Sequence, residues 1–373
     1  MGINEISDIN NNTDPECEIR KMIYLRNCEV ECPKIEAIVR GIIPKWINGT
    51  LIRNGPGLFK IGEDEYQHVF DYPALIRKYS IHDGKIFYES KFLKRAAYWK
   101  NKEKQRIVVT EFGTRAIADP CKSLLNRFMA HFTTDHILSD NLSVNVMNVG
   151  DEIYACGDTN YLIKVDPNNL NTIERSKLVS VLKSTSHPHY DSEGNVYNIG
   201  QCITSHVIIK IEKSLNNMSI VAKIPIENKM NPSYYHSFSM TENYFIFIQQ
   251  PLITSTTSLM KLFIKGGVLA NTLQWKPKYK SKFYIISRKN GKVLKQKYIS
   301  DAFAFFHTIN AYEDQNHVVI DICCYTDGEA LKALYTSSLK ANELNILAAR
   351  KHAAYTTSQA KRFILPLLSS NEK

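Results

Sequence analysis

The sequence lacks the features that would place it across a membrane or outside the cell. No apolar run approaches the ~18 residues that span a bilayer. The first twenty residues are polar and carry no signal-peptide core. The eight cysteines include no CxxC pair, and the adjacent Cys323 and Cys324 suit no ordinary disulfide framework. We therefore expect a cytoplasmic, reduced protein with a polar, disordered segment over residues 1–20.

A long run of basic residues is also missing. Lys and Arg outnumber Asp and Glu by 47 to 37, which gives a formal net charge of +10, but the basic residues are dispersed. There is no recognition-helix pattern and no aromatic-basic signature of nucleic-acid binding. The sequence predicts no nucleic-acid partner.

The chain instead contains many short strands separated by turn signals such as Asp83-Gly84, a pattern typical of all-β folds. No exact repeat is visible, which argues against WD40 and kelch arrays and favours a divergent β-propeller. The predicted strands include residues 152–157, 161–165, 196–199, 207–211, 244–249, 283–287, 293–299 and 318–323.

Three segments break the strand pattern: residues 120–132, 257–275 and 328–347. Each has a helical character, and the favoured interpretation is a helix packed on the sheet. The alternative is an apolar helix face that enters one leaflet of a bilayer, which basic flanking residues would favour.

Three of the eleven histidines lie in strand-like contexts far apart in the chain: His187, His236 and His307. Most single histidines are structural or surface residues. An all-imidazole site would suit a divalent transition metal such as Fe, Zn or Cu. His189 lies two residues after His187, and in a strand the two side chains would point the same way, so either one is a candidate ligand.

Several motifs in a fixed order identify a family resemblance. From about residue 33 onwards the chain resembles the carotenoid cleavage oxygenases, most closely the animal branch of β-carotene oxygenases and retinoid isomerohydrolase. The motifs are LIRNGPG at 51–57, HVFD at 68–71, TEFGT at 110–114, DPCK at 119–122, SHPH at 186–189, VYNIG at 196–200 and RFILPL at 362–367, together with the contexts of His236 and His307.

The resemblance implies a seven-bladed β-propeller over residues 21–373, with short helical insertions on one face and Fe(II) on its axis. In the family four histidines hold the iron, and His187, His236 and His307 match three of them, whereas His189 does not. The implied reaction splits one double bond of a carotenoid with O2 into two carbonyl products, giving retinal-like aldehydes. The alternatives are isomerohydrolase-like activity on a retinoid and a non-catalytic form that binds a carotenoid.

Asp158 matches a family glutamate that orients the histidines. A carboxylate in that place would fix an imidazole by a hydrogen bond, but Asp is one methylene shorter than Glu. The alternative is a turn-forming Asp beside Gly157.

The resemblance also implies a membrane-facing segment at Cys121, with Leu124, Phe128 and Phe132 as its apolar face. We expect peripheral contact with an intracellular membrane, because the substrates are drawn from lipid. S-acylation of Cys121 is a further possibility, and the alternative is an ordinary helix start with a buried thiol.

The chain departs from the family pattern in two places. Tyr72 follows Asp71 where the family has Gly, and because Pro73 comes next we expect Tyr72 to be extended. The family also continues beyond residue 373 and there supplies two further carboxylates, a fourth histidine and the closing strand. The sequence therefore predicts a propeller that is truncated at its C-terminal end.

Overall fold

The fold is known from a computed structural model, which describes residues 25–117, 139–178, 180–344 and 357–367. Most regular structure in these ranges is β-strand, arranged in five successive antiparallel sheets with two short hairpins. The strands follow in chain order, sheet by sheet.

The first sheet has the strand order β1-β6-β5-β2, and the second has the order β10-β9-β8-β7. The bounds are β1 (Ile35–Glu36), β2 (Gly49–Arg53), β3 (Lys60–Ile61), β4 (Asp64–Glu65), β5 (Leu75–His82), β6 (Lys85–Phe92), β7 (Asn145–Val149), β8 (Glu152–Cys156), β9 (Tyr161–Val165) and β10 (Thr172–Lys177). β3 and β4 form a separate hairpin. The predicted Asp83-Gly84 turn joins β5 to β6, and both of its residues have positive φ (50° and 74°), as a tight hairpin turn requires.

The third sheet has the order β11-β13-β14-β15, with β12 also paired to β13. The fourth has the order β16-β17-β20-β21, and the fifth β22-β23-β24. The bounds are β11 (Lys183–Ser184), β12 (His189–Tyr190), β13 (Val196–Gln201), β14 (Ser205–Ile211), β15 (Met218–Pro225), β16 (Ser239–Met240), β17 (Tyr244–Gln249), β18 (Leu252–Thr254), β19 (Leu273–Trp275), β20 (Ser281–Ser287), β21 (Tyr298–Ser300), β22 (Ala304–Asp314), β23 (His317–Tyr325) and β24 (Gln359–Pro366). β18 and β19 form the second hairpin.

Successive sheets pack face to face, and alternate residues of one strand serve different neighbours. Ile209 of β14 packs against the second sheet, whereas Ile208 packs against the fourth. Phe247 of β17 faces the third sheet and Ile248 the fifth. Because both faces are buried, the centres of these strands are continuous apolar runs, Val207–Ile209 and Phe245–Ile248, rather than alternating. Sheets that stack in chain order in this way are the blades of a propeller, so the predicted all-β propeller architecture is confirmed, with five blades in the described ranges.

Three α-helices lie among the described residues: α1 (Ala96–Lys104), α2 (Thr256–Lys265) and α3 (Thr336–Leu344). Short 3-10 turns lie at Val69–Asp71, Leu269–Thr272 and Glu329–Leu334. Ser255 caps α2 by accepting a hydrogen bond from the Ser258 N–H, which satisfies one of the free N–H groups of its first turn. In the part of the chain that the structure describes, no helix combines the length and the apolarity needed to cross a bilayer.

The structure corrects two of the predicted elements. Residues 257–275 are not one helix, because α2 ends at the positive-φ pair Gly266-Gly267 and residues 273–275 pair with β18 as a strand. Residues 293–299 are not one strand either. Ile286 faces Val293 while Phe283 faces Tyr298, so the second segment has extra residues that cannot pair.

The remaining predicted elements were placed well or lie outside the described residues. Residues 161–165 and 244–249 form strands with the predicted bounds, and the other predicted strands shift by a few residues at their ends. Residues 328–347 contain a 3-10 turn and then α3, up to residue 344. Residues 120–132 and the polar segment 1–20 lie outside the described residues. Tyr72 is extended, at φ −62° and ψ 136°, which confirms the effect of Pro73.

Candidate metal centre

Three histidines from three successive blades meet at one point. His187 lies between β11 and β12, His236 shortly before β16, and His307 within β22, so each lies in or next to the strand that begins its blade. One ring nitrogen from each histidine lies within 4.8 Å of the other two. The Nε2 atoms of His187 and His236 are 2.9 Å apart. The edge strands of blades three, four and five therefore converge here.

The site favours neutral imidazoles, which are the form that binds metals. Burial, with a further contribution from the neighbouring histidines, lowers the pKa of His187 to about 3 and that of His307 to about 4. His236 is buried and His187 is half-buried. His307 is exposed as a residue, but its ring is desolvated on the side that faces the rings of His187 and His236, with centroids 4.7 and 4.9 Å away. Three imidazoles with converging nitrogens fit a divalent transition metal.

His189 does not join this group. Its Nε2 lies 2.8 Å from the carbonyl oxygen of Phe238, and its ring packs edge-on against the Phe238 ring. That the two side chains point the same way stays a prediction; His187 contacts His236, whereas His189 contacts Phe238, two residues further along the chain.

Asp158 lies in the turn between β8 and β9 and reaches the histidines from the second blade. Its Oδ1 accepts hydrogen bonds from the Ser186 N–H (3.3 Å) and hydroxyl (3.0 Å), while its Oδ2 lies 3.4 Å from Nδ1 of His236. Burial opposes ionisation, but His236 and Lys183 hold the pKa of Asp158 below its usual range. The carboxylate thus contacts the histidine strands, which favours the orienting role over the turn-forming alternative.

Two further residues that the sequence alone did not single out lie next to this carboxylate. The Tyr234 hydroxyl is 3.0 Å from Nδ1 of His236 and 3.4 Å from Oδ2 of Asp158. The Lys183 ammonium lies over the rings of Tyr235 and Tyr234, 4.8 and 5.7 Å from their centroids. The only sequence signal for Tyr234 is its position two residues before His236, on the same side of an extended segment.

One side of the site is an apolar wall. Phe306 packs edge-on against the His236 ring, with centroids 5.4 Å apart, and also against Tyr234. Its neighbours in the same buried cluster are Tyr234, Leu252, Ala330 and Leu331. This packing shields one face of the His236 ring from water.

A second buried histidine lies elsewhere, in what we term the His68 cluster: His68, Asp71, Glu111, Gly113 and Thr114. Nε2 of His68 is 3.1 Å from the Leu331 carbonyl oxygen, and its Nδ1 accepts the Phe70 N–H at 3.2 Å. The Asp71 carboxylate accepts hydrogen bonds from the Gly113 N–H and the Thr114 hydroxyl. Both nitrogens of this histidine have protein partners.

The four residues predicted to face a membrane, Cys121, Leu124, Phe128 and Phe132, lie between residues 118 and 138, outside the described part of the chain. Their role stays a prediction.

Comparison with known proteins gives these observations a family context. The family model described as retinal pigment epithelial membrane protein (RPE65) matches residues 25–373. Carotenoid isomerooxygenase of Galleria mellonella is 37% identical over 370 residues, which cover 96% of this chain and 71% of that protein. Beta,beta-carotene 15,15'-dioxygenase of Gallus gallus is 38% identical, with coverage of 92% and 68%. The human mitochondrial carotenoid-cleaving dioxygenase is 37% identical, with coverage of 90% and 61%.

Solved structures agree on the fold. Cobalt-substituted Synechocystis ACO superimposes with a TM-score of 0.67 at 20% identity, covering 82% of this chain and 64% of its own. An ACO/RPE65 chimera gives a TM-score of 0.67 at 21% identity, covering 82% and 63%. The chain thus spans about two thirds of the length of the proteins that it matches.

Proposed function

Since this chain belongs to the RPE65 family of carotenoid oxygenases, we propose that it cleaves a carotenoid at one double bond with O2, using Fe(II) held by His187, His236 and His307. The observation that carries the proposal is the meeting of these three imidazoles, from three blades, within 4.8 Å. They lie at the positions that match the family's ligands.

The residues present fit the metal. Neutral imidazoles suit Fe(II) and leave positions open for other ligands. When bound, the iron would supply the activation of O2, and the two oxygen atoms would end in the two carbonyl products. The protein's own residues would orient His236 through its Nδ1 and keep His187 and His307 uncharged.

The apolar wall supports a polyene as the substrate. Phe306, Tyr234 and Leu252 form a buried surface beside His236 and offer a hydrocarbon chain dispersion contacts and a dry environment. Fixing the chain along such a wall would set which double bond lies near the histidines, so the cleavage site is selected by position.

The test is direct. The full chain is loaded with Fe(II), mixed with β-carotene in detergent micelles under ¹⁸O2, and the products are separated by chromatography. We expect labelled aldehydes from the wild type and the His189→Ala variant, and none from His236→Ala. Bound iron and bound carotenoid without aldehyde would contradict the proposal and favour the non-catalytic binding form. Isomerised alcohol formed from a retinyl ester without O2 would favour isomerohydrolase activity.

We also propose a cytoplasmic protein in peripheral contact with an intracellular membrane through Cys121, Leu124, Phe128 and Phe132. Its support is the lipid solubility of the substrate and the surface of α2, where Met260 and Ile264 are exposed between lysines. Flotation with phospholipid vesicles checks the membrane contact. We expect the wild type to float and the double variant Phe128→Ser/Phe132→Ser to stay at the bottom of the gradient.

A further inference from the structure

The Nδ1 atom of His236 has two neighbours, and their distances differ. The Tyr234 hydroxyl oxygen is at 3.0 Å, an ordinary hydrogen-bond length. The nearer oxygen of Asp158 is farther from Nδ1, at 3.4 Å, the same distance that separates it from the Tyr234 hydroxyl. The closer partner is therefore the phenol rather than the acid.

Asp158 cannot easily move closer. Its other oxygen accepts two hydrogen bonds from Ser186, the residue that precedes His187. These two hydrogen bonds hold the short Asp158 side chain against the segment that carries His187. Its remaining neighbour in this direction is the Tyr234 hydroxyl, at 3.4 Å.

We propose that Tyr234 is the positioning residue for His236, and that Asp158 acts on this histidine through the Tyr234 hydroxyl. The inference rests on the proposed metal site. It assigns the orientation of His236 to a phenol, in the place that a carboxylate normally takes beside a metal-binding imidazole. It follows from the shorter side chain at position 158.

The arrangement selects one tautomer of His236. The phenol donates its proton towards the Asp158 carboxylate, which leaves its oxygen lone pairs for the His236 Nδ1–H. With the proton on Nδ1, the Nε2 lone pair faces the shared point between the histidines. His187 and His236 have their Nε2 atoms 2.9 Å apart, so in the metal-free protein His187 then carries its proton on Nε2 and donates it to His236.

Packing fixes the Tyr234 ring in place. The residue is buried, its N–H donates to the Leu252 carbonyl at 2.8 Å, and its ring lies against Phe306. Its neighbour Tyr235 belongs to a different core, and the Tyr235 hydroxyl bonds the carbonyl of Lys183 instead. Tyr235→Phe is therefore a matched control, with the same chemical change on the opposite side of the segment.

The first experiment measures Co(II) binding by visible absorption, as a spectroscopic substitute for Fe(II), in Tyr234→Phe and Tyr235→Phe. We expect the first variant to bind roughly 10–100-fold more weakly, the cost typical of losing a group that supports a metal ligand. Tyr235→Phe should match the wild type. Equal affinities for the two variants would overturn the inference.

A double-mutant cycle with Asp158→Glu sharpens the result. The added methylene lets a carboxylate reach His236 directly, so Tyr234→Phe should cost much less affinity in the Asp158→Glu background than in the wild type. An undiminished cost would show that the phenol does not act as the link between the acid and the histidine.

The second experiment needs no metal. Nitrogen NMR of ¹⁵N-histidine-labelled, metal-free protein reports the tautomer of each ring. We expect His236 as the Nδ1–H form in wild type and Tyr235→Phe, with loss of that preference in Tyr234→Phe. If the wild type bound no Co(II), the proposed metal site would fail, while these spectra would still decide the role of Tyr234. An unchanged tautomer in Tyr234→Phe would reject it.

Discussion

Two buried histidines in this molecule, His68 and His236, differ in their surroundings. His68 has a protein partner at each ring nitrogen, the Leu331 carbonyl oxygen at one and the Phe70 N–H at the other. His236 has Tyr234 and Asp158 at Nδ1, whereas its Nε2 faces another imidazole. Both histidines are buried, so burial alone does not distinguish them.

The difference shows which property separates a structural histidine from a ligand. A ring with both nitrogens satisfied joins segments of the fold and has no lone pair to give. A ring held at one nitrogen, with the other directed at neighbouring imidazoles, is oriented for a metal. The partner of the second nitrogen therefore carries more information than burial does.

The largest effect that tests this comparison is on metal binding. We expect His236→Ala to lose Co(II) binding by more than the roughly 10–100-fold assigned to supporting groups, because it removes a ligand itself. His68→Phe should retain wild-type affinity in its folded fraction. Titration of both variants by absorption checks this, and weakened binding in His68→Phe would break the distinction.

The second effect is a pH dependence in the His68 cluster. Burial raises the pKa of Asp71 from 3.8 to about 7, and burial beside Asp71 raises that of Glu111 well above its usual range. Because the folded pKa of Asp71 exceeds the unfolded one, the native state holds a proton that the unfolded state releases. The contribution of Asp71 to the free energy of unfolding is therefore largest at about pH 4 and below. It is lost as the pH rises through 7, which lowers the free energy of unfolding by roughly 2–4 kcal/mol.

Urea unfolding across this pH range measures the effect. Asp71→Asn keeps the shape of the side chain without titrating, so its profile should be flatter than that of the wild type. Parallel profiles would show that Asp71 does not carry the pH dependence.

A smaller effect concerns the stability contributed by His68. His68→Phe leaves the Leu331 carbonyl and the Phe70 N–H without their partner, which should cost about 1–3 kcal/mol of unfolding free energy. Thermal or urea unfolding measures the loss. A neutral result would mean that these two hydrogen bonds contribute little and that ring packing alone fixes this region.

The smallest effect concerns the histidine nearest the candidate metal centre that does not belong to it. His189→Ala removes one hydrogen bond to the Phe238 carbonyl and should cost about 1 kcal/mol of stability. Its Co(II) affinity should equal that of the wild type. If His189→Ala lost metal while His187→Ala kept it, the assignment of the ligand would be reversed.

The sequence was sufficient for the strands that are buried on both faces. Residues 244–249 contain a continuous apolar run over residues 245–248, and their strand has the predicted bounds. Residues 273–275 were misassigned because their pairing partner, β18, lies about twenty residues earlier and has no local signature. The hydrophobic periodicity of a segment does not show that it pairs with a strand on the other side of a helix.

Prediction of the candidate metal centre from the sequence had the same limit, because contacts between distant residues have no local signature. Motif order indicated His187, His236 and His307, but the contact of His189 with the Phe238 carbonyl could not be deduced from its spacing. Tyr234 was missed because its role comes from Asp158, 76 residues away in the chain.

Two of the quoted motifs are in contact with each other, since the Gly113 N–H and the Thr114 hydroxyl of TEFGT donate to the Asp71 carboxylate of HVFD. A side chain added at Gly113 would lie 2.6 Å from the Cβ of His68, which explains the glycine.

The alternation along the blade strands has a consequence for how this protein can diversify. Ile208 and Ile209 are adjacent in the chain but belong to different cores, as do Phe247 and Ile248. Substitutions at such neighbours change different cores, so any coupling between their free-energy effects should pass through the shared backbone, and a double-mutant cycle measures it. Each boundary between blades can then accumulate changes as a separate module, and one boundary can be rebuilt while the others keep their composition.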